Sequence, residues 1–255
     1  KSQIPNDLAI LGVEDFQARF EKDYPEMEWV SRIQFGALLD VPDEKGETRA
    51  QGTMVGKAID LLSPESKEID RLNLRKALAP DNDSRLPQQQ GEVLISHDFA
   101  QRFNVKIGDN VTVFGSTMYG SMMFTNYTVC GTIKFGNALL DRGALILDIR
   151  DARLAMDMDD ATGELLGYFK DGEYHDDKAK QIQTHFNNKY TLPNDEYSPV
   201  MEILTDDSTV GNYLKMSDNI GAMMVSILII ILSIVLWNTG LLGTIRRYSE
   251  FGLRM

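Results

Sequence analysis

The chain is poor in the residues and motifs on which many enzymes and disulfide-stabilised proteins depend. It has one cysteine, Cys130, so no intramolecular disulfide can form. Its three histidines, His97, His175 and His185, lie in different segments and do not suggest a catalytic cluster. It contains no Gly-x-x-x-x-Gly-Lys-Ser/Thr phosphate loop, no Gly-x-Ser-x-Gly nucleophile motif and no His-Glu-x-x-His zinc motif. We therefore expect no catalytic site, no cofactor and no metal in this chain.

Positive charge is also scarce. The chain has 26 Lys and Arg residues against 38 Asp and Glu residues, which gives a formal net charge of -12 at pH 7. An acidic surface repels the phosphates of nucleic acids and the headgroups of anionic lipids. We therefore expect no nucleic-acid partner and no broad surface that lies flat on a membrane.

One long segment has no charge at all. From Ile220 to Ile245 no charged residue occurs, and the centre of this segment, 226–237, is almost wholly aliphatic. A transmembrane helix needs roughly 20 apolar residues to cross about 30 Å of hydrocarbon. A core helix of a soluble protein is the alternative, but such helices rarely stay apolar on every face for this length. The segment is thus predicted to cross a membrane.

The charges on either side of this segment predict its orientation. Three arginines follow it: Arg246, Arg247 and Arg254. Three aspartates precede it: Asp206, Asp207 and Asp218. Lys and Arg collect on the cytoplasmic side of membrane helices, so the C-terminus is predicted to be cytoplasmic and residues 1 to about 217 to lie outside.

A helical pattern begins before the apolar segment. Apolar residues recur at three- and four-residue spacing from Val210 through Leu214 to Met224, and no proline lies between Thr209 and Leu242. About 34 residues at 1.5 Å each give roughly 50 Å, against about 30 Å of hydrocarbon. We therefore predict a helical stalk that projects about 20 Å beyond the outer face of the membrane.

Small residues recur every seven positions within the apolar segment, at Ser226, Ser233 and Gly240. Such a stripe allows a second helix to approach closely. A helix-packing face and a chance spacing both remain compatible with the sequence.

The rest of the chain alternates predicted helices and strands of the α+β class. Helices are predicted at 14–24, 64–78 and 176–189, with short ones after Ser96 and at 149–156. A strand or a bent pair of strands is predicted at 27–41, and further strands at 48–59, 92–95, 110–114, 124–133, 144–147, 165–170 and 197–204. Their order suggests paired β-α-β halves, 1–60 and 161–207, that form one discontinuous subdomain. Residues 61–160 would form an inserted, mixed, β-rich subdomain. The stalk and transmembrane helix would follow at 208–245, and a cytoplasmic coupling segment would begin at 246–255.

Three segments together resemble the MacB and FtsX superfamily of ABC transporter permeases. Residues 91–113, Gly-Glu-Val-Leu-Ile-Ser-His-Asp-Phe-Ala-Gln-Arg-Phe-Asn-Val-Lys-Ile-Gly-Asp-Asn-Val-Thr-Val, resemble its strand-helix-turn-strand signature. Residues 127–133 and 143–154 continue the same order. Residues 246–255, Arg-Arg-Tyr-Ser-Glu-Phe-Gly-Leu-Arg-Met, resemble its cytoplasmic Arg-x-x-Glu-Ile-Gly-x-x-Arg motif, with Phe251 in place of isoleucine. The resemblance covers 91–255 well and 1–90 poorly.

The resemblance implies two extracytoplasmic subdomains between the first and second transmembrane helices of a permease in the inner membrane of a bacterium. It also implies two more helices after this segment, a second permease copy or paralogue in a dimer, and a separate cytoplasmic ABC ATPase that hydrolyses the ATP. The residues implied to couple to that ATPase are Arg247, Glu250, Phe251, Gly252 and Arg254.

The loop at 115–124 lies where one lipoprotein-releasing permease carries a hairpin that hooks a periplasmic chaperone, although its residues do not match that hairpin. Its Met118, Tyr119, Met122 and Met123 have the composition of an adaptable binding surface. A partner-binding loop, for a periplasmic chaperone or adaptor, and a hairpin folded onto its own domain are both compatible with the sequence.

Two functions follow from these observations. The first is a permease component that transmits motion mechanically to its extracytoplasmic domain, in lipoprotein release or efflux. The alternative is a binding or scaffold domain tethered by a single span, without an ATPase partner. A rigid stalk favours the first, since a tethered domain needs only a flexible linker.

Overall fold

The computed structural model describes residues 9–43, 45–80, 83–192, 194–195, 198–206 and 208–252. The strands are β1 (Ile10–Leu11), β2 (Met27–Pro42), β3 (Thr48–Ile59), β4 (Glu92–Ser96), β5 (Asn110–Ser116), β6 (Met122–Ile133), β7 (Ala144–Asp148), β8 (Ala161–Thr162) and β9 (Glu164–Phe169). The helices are α1 (Val13–Asp23), α2 (Glu68–Arg71), α3 (Leu74–Ala77), α4 (His97–Phe103), α5 (Ala138–Gly143), α6 (Ile149–Ala155), α7 (Asp176–Tyr190) and α8 (Ser208–Gly252). The chain divides into a sheet unit, Lys1–Glu173, and a helical unit, Tyr174–Met255.

Six strands of the sheet unit close into a ring. In the order β3-β7-β4-β6-β5-β2 each strand pairs with the next, and β2 pairs back with β3. The β3–β7 and β4–β6 pairs are parallel, and the other four are antiparallel. The first part of β2, Met27–Arg32, extends past its pairing with β3 and pairs with β9. The mixed helix and strand content agrees with the predicted α+β class.

The core of the sheet unit follows the two-residue period of its strands. Alternate residues of β2, from Ile33 to Val41, are buried in a large apolar cluster together with Leu145 of β7 and Phe99 of α4. A second cluster forms on the other side of β4 and β7, where Leu74 of α3 packs near Leu94 and Ile146. Strands β4 and β7 are therefore buried on both faces.

The short helix predicted after Ser96 is confirmed as α4. The Ser96 hydroxyl caps α4 by accepting a hydrogen bond from the Phe99 backbone N–H at 3.3 Å. The rings of Phe99 and Phe103, one turn apart, lie 4.5 Å from each other. In the turn before β5, Gly108 takes a φ of 92°, which glycine adopts without a steric clash because it has no Cβ.

The helix predicted at 64–78 is wrong. Helix begins only at Glu68 and is interrupted at Asn73, which takes a left-handed φ of 50° between α2 and α3. Before Glu68, the Asp60 carboxylate accepts the N–H of Ser63, and the Ser66 hydroxyl donates to the Asp60 carbonyl. These local bonds compete with helical ones and hold the segment as a turn.

The strand predicted at 197–204 is absent from the residues described there, 198–206. The Asn187 side chain on α7 accepts the backbone N–H of Met201 at 2.8 Å, and the Thr191 hydroxyl donates to the Pro199 carbonyl at 2.7 Å. These backbone groups are satisfied without a strand partner. The second predicted β-α-β half therefore lacks its last strand, while the division of 1–207 into two subdomains stays a prediction.

A buried ion-pair cluster joins α2 to β2 and β9. Arg32 donates to both carboxylate oxygens of Glu68, at 2.6 and 3.2 Å, and to the Tyr168 hydroxyl at 2.8 Å. The Arg32 and Glu68 side chains are 8% and 1% exposed. Burial acts to lower the pKa of Arg32, but the hydrogen bond and charge of Glu68 outweigh it and raise that pKa. Arg71 also pairs with Glu68, and its guanidinium lies over the Tyr168 ring.

A second ion pair lies at the start of β4. Arg85 donates to the two carboxylate oxygens of Glu92 at 2.7 and 2.5 Å, and the Gln88 backbone N–H donates to the same carboxylate at 2.9 Å. The bonds from Arg85 are the main cause that lowers the pKa of Glu92 from 4.5 to about 2. A carboxylate with a lowered folded-state pKa stabilises the fold above its unfolded pKa, and this contribution is lost as the pH falls through the folded pKa.

Replacing Glu92 with glutamine is therefore expected to flatten the acid limb of the stability profile. The wild type loses the Glu92 contribution as the pH falls from 4.5 towards 2, whereas the variant has no such contribution to lose. Because Arg85 is partly exposed, we expect the difference in unfolding free energy at neutral pH to be about 1–2 kcal/mol. Urea unfolding at a series of pH values measures it. An equal difference at neutral pH and at about pH 2 would contradict this assignment.

Helix α8 dominates the helical unit. It runs for 45 residues from Ser208 to Gly252, a length of about 68 Å at 1.5 Å per residue. The segment contains no proline, and an isolated glycine such as Gly221 costs only about 1 kcal/mol relative to alanine. The backbone is helical throughout 213–220, where a break would have removed the predicted stalk.

Candidate functional site

The central part of α8 is the candidate membrane span. The stretch Ile220–Leu241 is long and apolar enough to cross a membrane, judged by length and composition, and none of it is buried against the rest of the protein. Its large aliphatic side chains, such as Leu228 and Ile231, are about half exposed, and Trp237 is 73% exposed. A continuous exposed apolar surface of this extent is not typical of a soluble monomer. Such a surface suits a membrane-anchored protein.

The predicted packing stripe lies within this span. Seven residues make nearly two helical turns, so Ser226, Ser233 and Gly240 share one face of α8. The hydroxyls of Ser226 and Ser233 each donate to the carbonyl four residues earlier, Ala222 and Ile229, at 2.8 Å. Because these hydroxyls are already hydrogen-bonded within α8, this face differs from the rest of the helix by its small side chains and not by its polarity. Its role in packing stays a prediction.

The predicted coupling residues lie at the C-terminal end of the same helix. After Leu241, α8 continues for about three turns to Gly252. The backbone positions of Arg247 and Phe251 are four residues apart and fall on one face, and Glu250 lies on a neighbouring face. Arg254 is outside the described residues. Their role in coupling stays a prediction.

The structure separates the four residues of the predicted partner-binding loop into two pairs. The turn between β5 and β6 is only Thr117–Ser121, since both strands extend further than the sequence indicated. Met118 and Met123 are buried in the apolar core, at 7% and 4% exposure. Tyr119 and Met122 are 75% and 80% exposed. The interpretation as a folded hairpin therefore describes Met118 and Met123, and the interpretation as a binding loop describes Tyr119 and Met122.

Sequence reasoning missed two exposed apolar residues next to this pair. Phe124 of β6 is 71% exposed, and Leu154 of α6 is 78% exposed. The alternation along β6 was the available signal for Phe124, because Met122 and Phe124 share one face while Met123 and Tyr127 share the other. Nothing in the sequence indicates that α6 lies beside them.

An open cleft of about 410 Å³ lies between β6 and α6. Its wall on the β6 side is Met122–Tyr127, and its wall on the α6 side includes Asp151, Leu154 and Ala155. At one end, the Met118 backbone N–H donates to the Met156 carbonyl at 3.0 Å. Gly91 lines the other end.

The charged residues described at the cleft are all acidic. The Gly91 backbone N–H donates to the Asp151 carboxylate at 2.9 Å, and burial raises the pKa of Asp151. Burial, and then the nearby Asp151 charge, raise the pKa of Tyr127, which is therefore a neutral phenol at physiological pH. Asp157 adds an exposed carboxylate. The residues described as lining the cleft include no lysine, arginine or histidine.

Comparison with known proteins gives likenesses among solved structures only. No protein-family model matches the chain, and no curated protein matches it. Among solved structures, it is similar to the periplasmic region of MacB from Actinobacillus actinomycetemcomitans, with a TM-score of 0.47 and 11% sequence identity, over 71% of this chain and 75% of that one. At this level of similarity, the function has to be argued from the residues of this chain.

Proposed function

We propose that this chain is the extracytoplasmic domain and second transmembrane helix of a permease subunit in an ATP-driven transporter. It acts by transmitting motion to its extracytoplasmic domain, in lipoprotein release or efflux. The observation that supports this most is the unbroken helix α8, Ser208–Gly252. The order of the MacB- and FtsX-like segments in the sequence supports the same function.

The length of α8 fits a transmission element. About 68 Å of helix exceeds the roughly 30 Å of hydrocarbon by more than half its length. About 18 Å precedes Ile220 and about 16 Å follows Leu241. A helix without a hinge passes a displacement at one end to the other, whereas a tethered binding domain needs only a flexible linker.

The partners follow from the charge and shape of each end. The arginines after the span support a cytoplasmic C-terminus. In this proposal the membrane is the inner membrane of a bacterium, and a separate cytoplasmic ABC ATPase hydrolyses the ATP. The face of Ser226, Ser233 and Gly240 packs against a second permease copy or paralogue. Outside the membrane, a chaperone or adaptor binds at Tyr119 and Met122, which Met118 and Met123 anchor to the core.

Replacing Glu250 and Phe251 together with alanine is expected to uncouple ATP hydrolysis from transport. An apolar residue flanked by charges suits a short element that docks in a groove of the ATPase. Transport by the intact transporter should fall by more than about tenfold, because the docked aromatic side chain is lost. The amount of permease in the membrane should not change, since both residues lie beyond the span.

A matched control is Ser249→Ala, which changes a neighbouring position on the same helix. Normal coupled transport in the double variant would contradict the coupling role. Copurification separates the two functions: a cytoplasmic ATPase should copurify with the wild type and be lost from the double variant. A chain that is functional with no ATPase bound to it would favour the tethered binding domain instead.

A further inference from the structure

Strand β6 has a strand partner on one edge along its first half and on the other edge along its second half. Along one edge it pairs with β5 from Met122 to Thr128, and along the other it pairs with β4 from Thr128 to Ile133. No strand in the described part of the chain pairs with the second edge between Met122 and Tyr127. The cleft between β6 and α6 lies along this open edge.

Backbone hydrogen bonds show which residues of β6 face the open edge. The Val129 N–H donates to the Asp109 carbonyl at 2.9 Å, and its own carbonyl accepts from Gly108 at 2.8 Å, so Val129 faces β5. The Thr128 N–H donates to the Gly91 carbonyl at 2.8 Å, on the opposite side. This direction alternates along an antiparallel strand.

The backbone groups of Met122, Phe124 and Asn126 therefore point away from β5, towards the cleft. Each contributes one N–H donor and one carbonyl acceptor to the open edge. Together they form the repeating pattern with which an added strand pairs.

The segment of β6 at the open edge has none of the residues that usually protect one. Natural proteins place charged residues, proline or bulges on exposed edges. The segment 122–127, Met-Met-Phe-Thr-Asn-Tyr, has neither charge nor proline. Instead, the exposed side chains of Met122, Phe124 and Leu154 line the cleft. Apolar side chains beside unpaired backbone groups are typical of a peptide-binding edge.

The negative charge at the cleft also limits which ligands fit it. Asp151 is largely buried and accepts the Gly91 N–H, so Asp157 is the exposed charge at the cleft. No basic residue is described among those that line it. A ligand with a lysine or arginine near Asp157 complements this charge.

We propose that the cleft binds an extended segment of a partner protein, which adds a strand to the open edge of β6. The six residues 122–127 span about 20 Å, so the bound segment is about six residues long. Its apolar side chains alternate, and at least one lysine or arginine faces Asp157. Backbone pairing provides affinity, and the alternate side chains provide specificity.

A synthetic peptide tests this on the full chain in detergent micelles. The probe is a labelled seven-residue peptide of alternating valine and lysine with blocked ends, and the control peptide carries N-methyl groups on alternate backbone amides. Fluorescence polarisation should show binding of the probe. The methylated peptide should bind at least about tenfold more weakly, because it has lost hydrogen bonds of the added strand.

Two variants locate the binding. Asn126→Pro removes an edge donor and leaves the pairing with β5, and Leu154→Ala removes the apolar wall on α6. Asn126→Pro should weaken binding of the probe about tenfold, and Leu154→Ala should weaken it about threefold. The matched control is Leu11→Ala, an exposed leucine on β1 outside the cleft, which should leave binding unchanged.

Hydrogen exchange provides an independent measurement if Asn126→Pro does not fold. In the free protein, the Phe124 and Asn126 amides should exchange faster than those of Thr125 and Tyr127, and the probe should slow them. Absence of probe binding, equal binding of the methylated peptide, or a dimer formed through this edge would overturn the proposal. The proposal rests on the proposed function for its extracytoplasmic partner, but its test needs neither ATP nor transport, so either can fail alone.

Discussion

Replacing Glu68 with alanine is expected to lower the unfolding free energy of the sheet unit by about 3–5 kcal/mol, the cost of leaving a buried cation without its partner. Arg32 is 8% exposed and donates twice to Glu68. After the substitution, the Tyr168 hydroxyl remains as a hydrogen-bond acceptor for Arg32. The midpoint of thermal unfolding should fall by about 10 °C for a unit of this size.

Urea unfolding followed by the fluorescence of Trp29 measures this effect. Trp29 is buried in the sheet unit, and the second tryptophan of the chain, Trp237, is replaced with phenylalanine in all samples. The matched control is Arg75→Ala, because Arg75 and Asp70 are 70% and 80% exposed and lie 3.8 Å apart. The Arg75→Ala substitution should change the unfolding free energy by less than about 0.5 kcal/mol. Equal effects of the two substitutions would contradict the role of the buried pair.

Replacing Met216 with proline is expected to abolish most ATP-driven transport while leaving insertion and ATPase activity in place. Met216 lies in α8 before the span, between Ser208 and Ile220. Proline in a helix interior removes a hydrogen bond, kinks the helix and costs about 3 kcal/mol. A kinked rod does not pass a displacement from one end to the other, so transport should fall by more than about tenfold.

Met216→Ala is the control, because alanine keeps the helix and removes only the exposed side chain. Transport by the intact transporter is compared with its ATPase rate for both variants. If the proline variant transports as well as the alanine variant, α8 does not act as a rigid rod and the mechanical proposal fails.

The sequence predicts well those features that depend on neighbouring residues. The three- and four-residue spacing before Ile220 predicts the start of α8 at Ser208, since helical periodicity is local. Ser96 ahead of Phe99 and Phe103 likewise predicts a capped helix. Most strands begin and end within a few residues of their predicted bounds for the same reason.

Features that depend on distant residues could not be predicted. Nothing near Glu68 indicates that it is buried against Arg32, and its neighbours suggested one longer helix at 64–78. The pairing of Val55 with Ala144 closes the ring and has no local signal. The cleft was missed in the same way, because Leu154 comes beside Phe124 only when α6 packs against β6. Tertiary contacts, not propensity, decide these features.

The position of β7 in the ring sets the order in which the sheet unit can fold. The β2–β3 and β5–β6 hairpins join strands that are neighbours in the chain and can form as soon as both of their strands are free to pair. Strand β7 must then insert between β3 and β4, which were synthesised long before it. Until Ala144–Asp148 arrives, both of those strands keep an unpaired edge. Folding therefore waits for a late segment, and during that interval aggregation competes with ring closure.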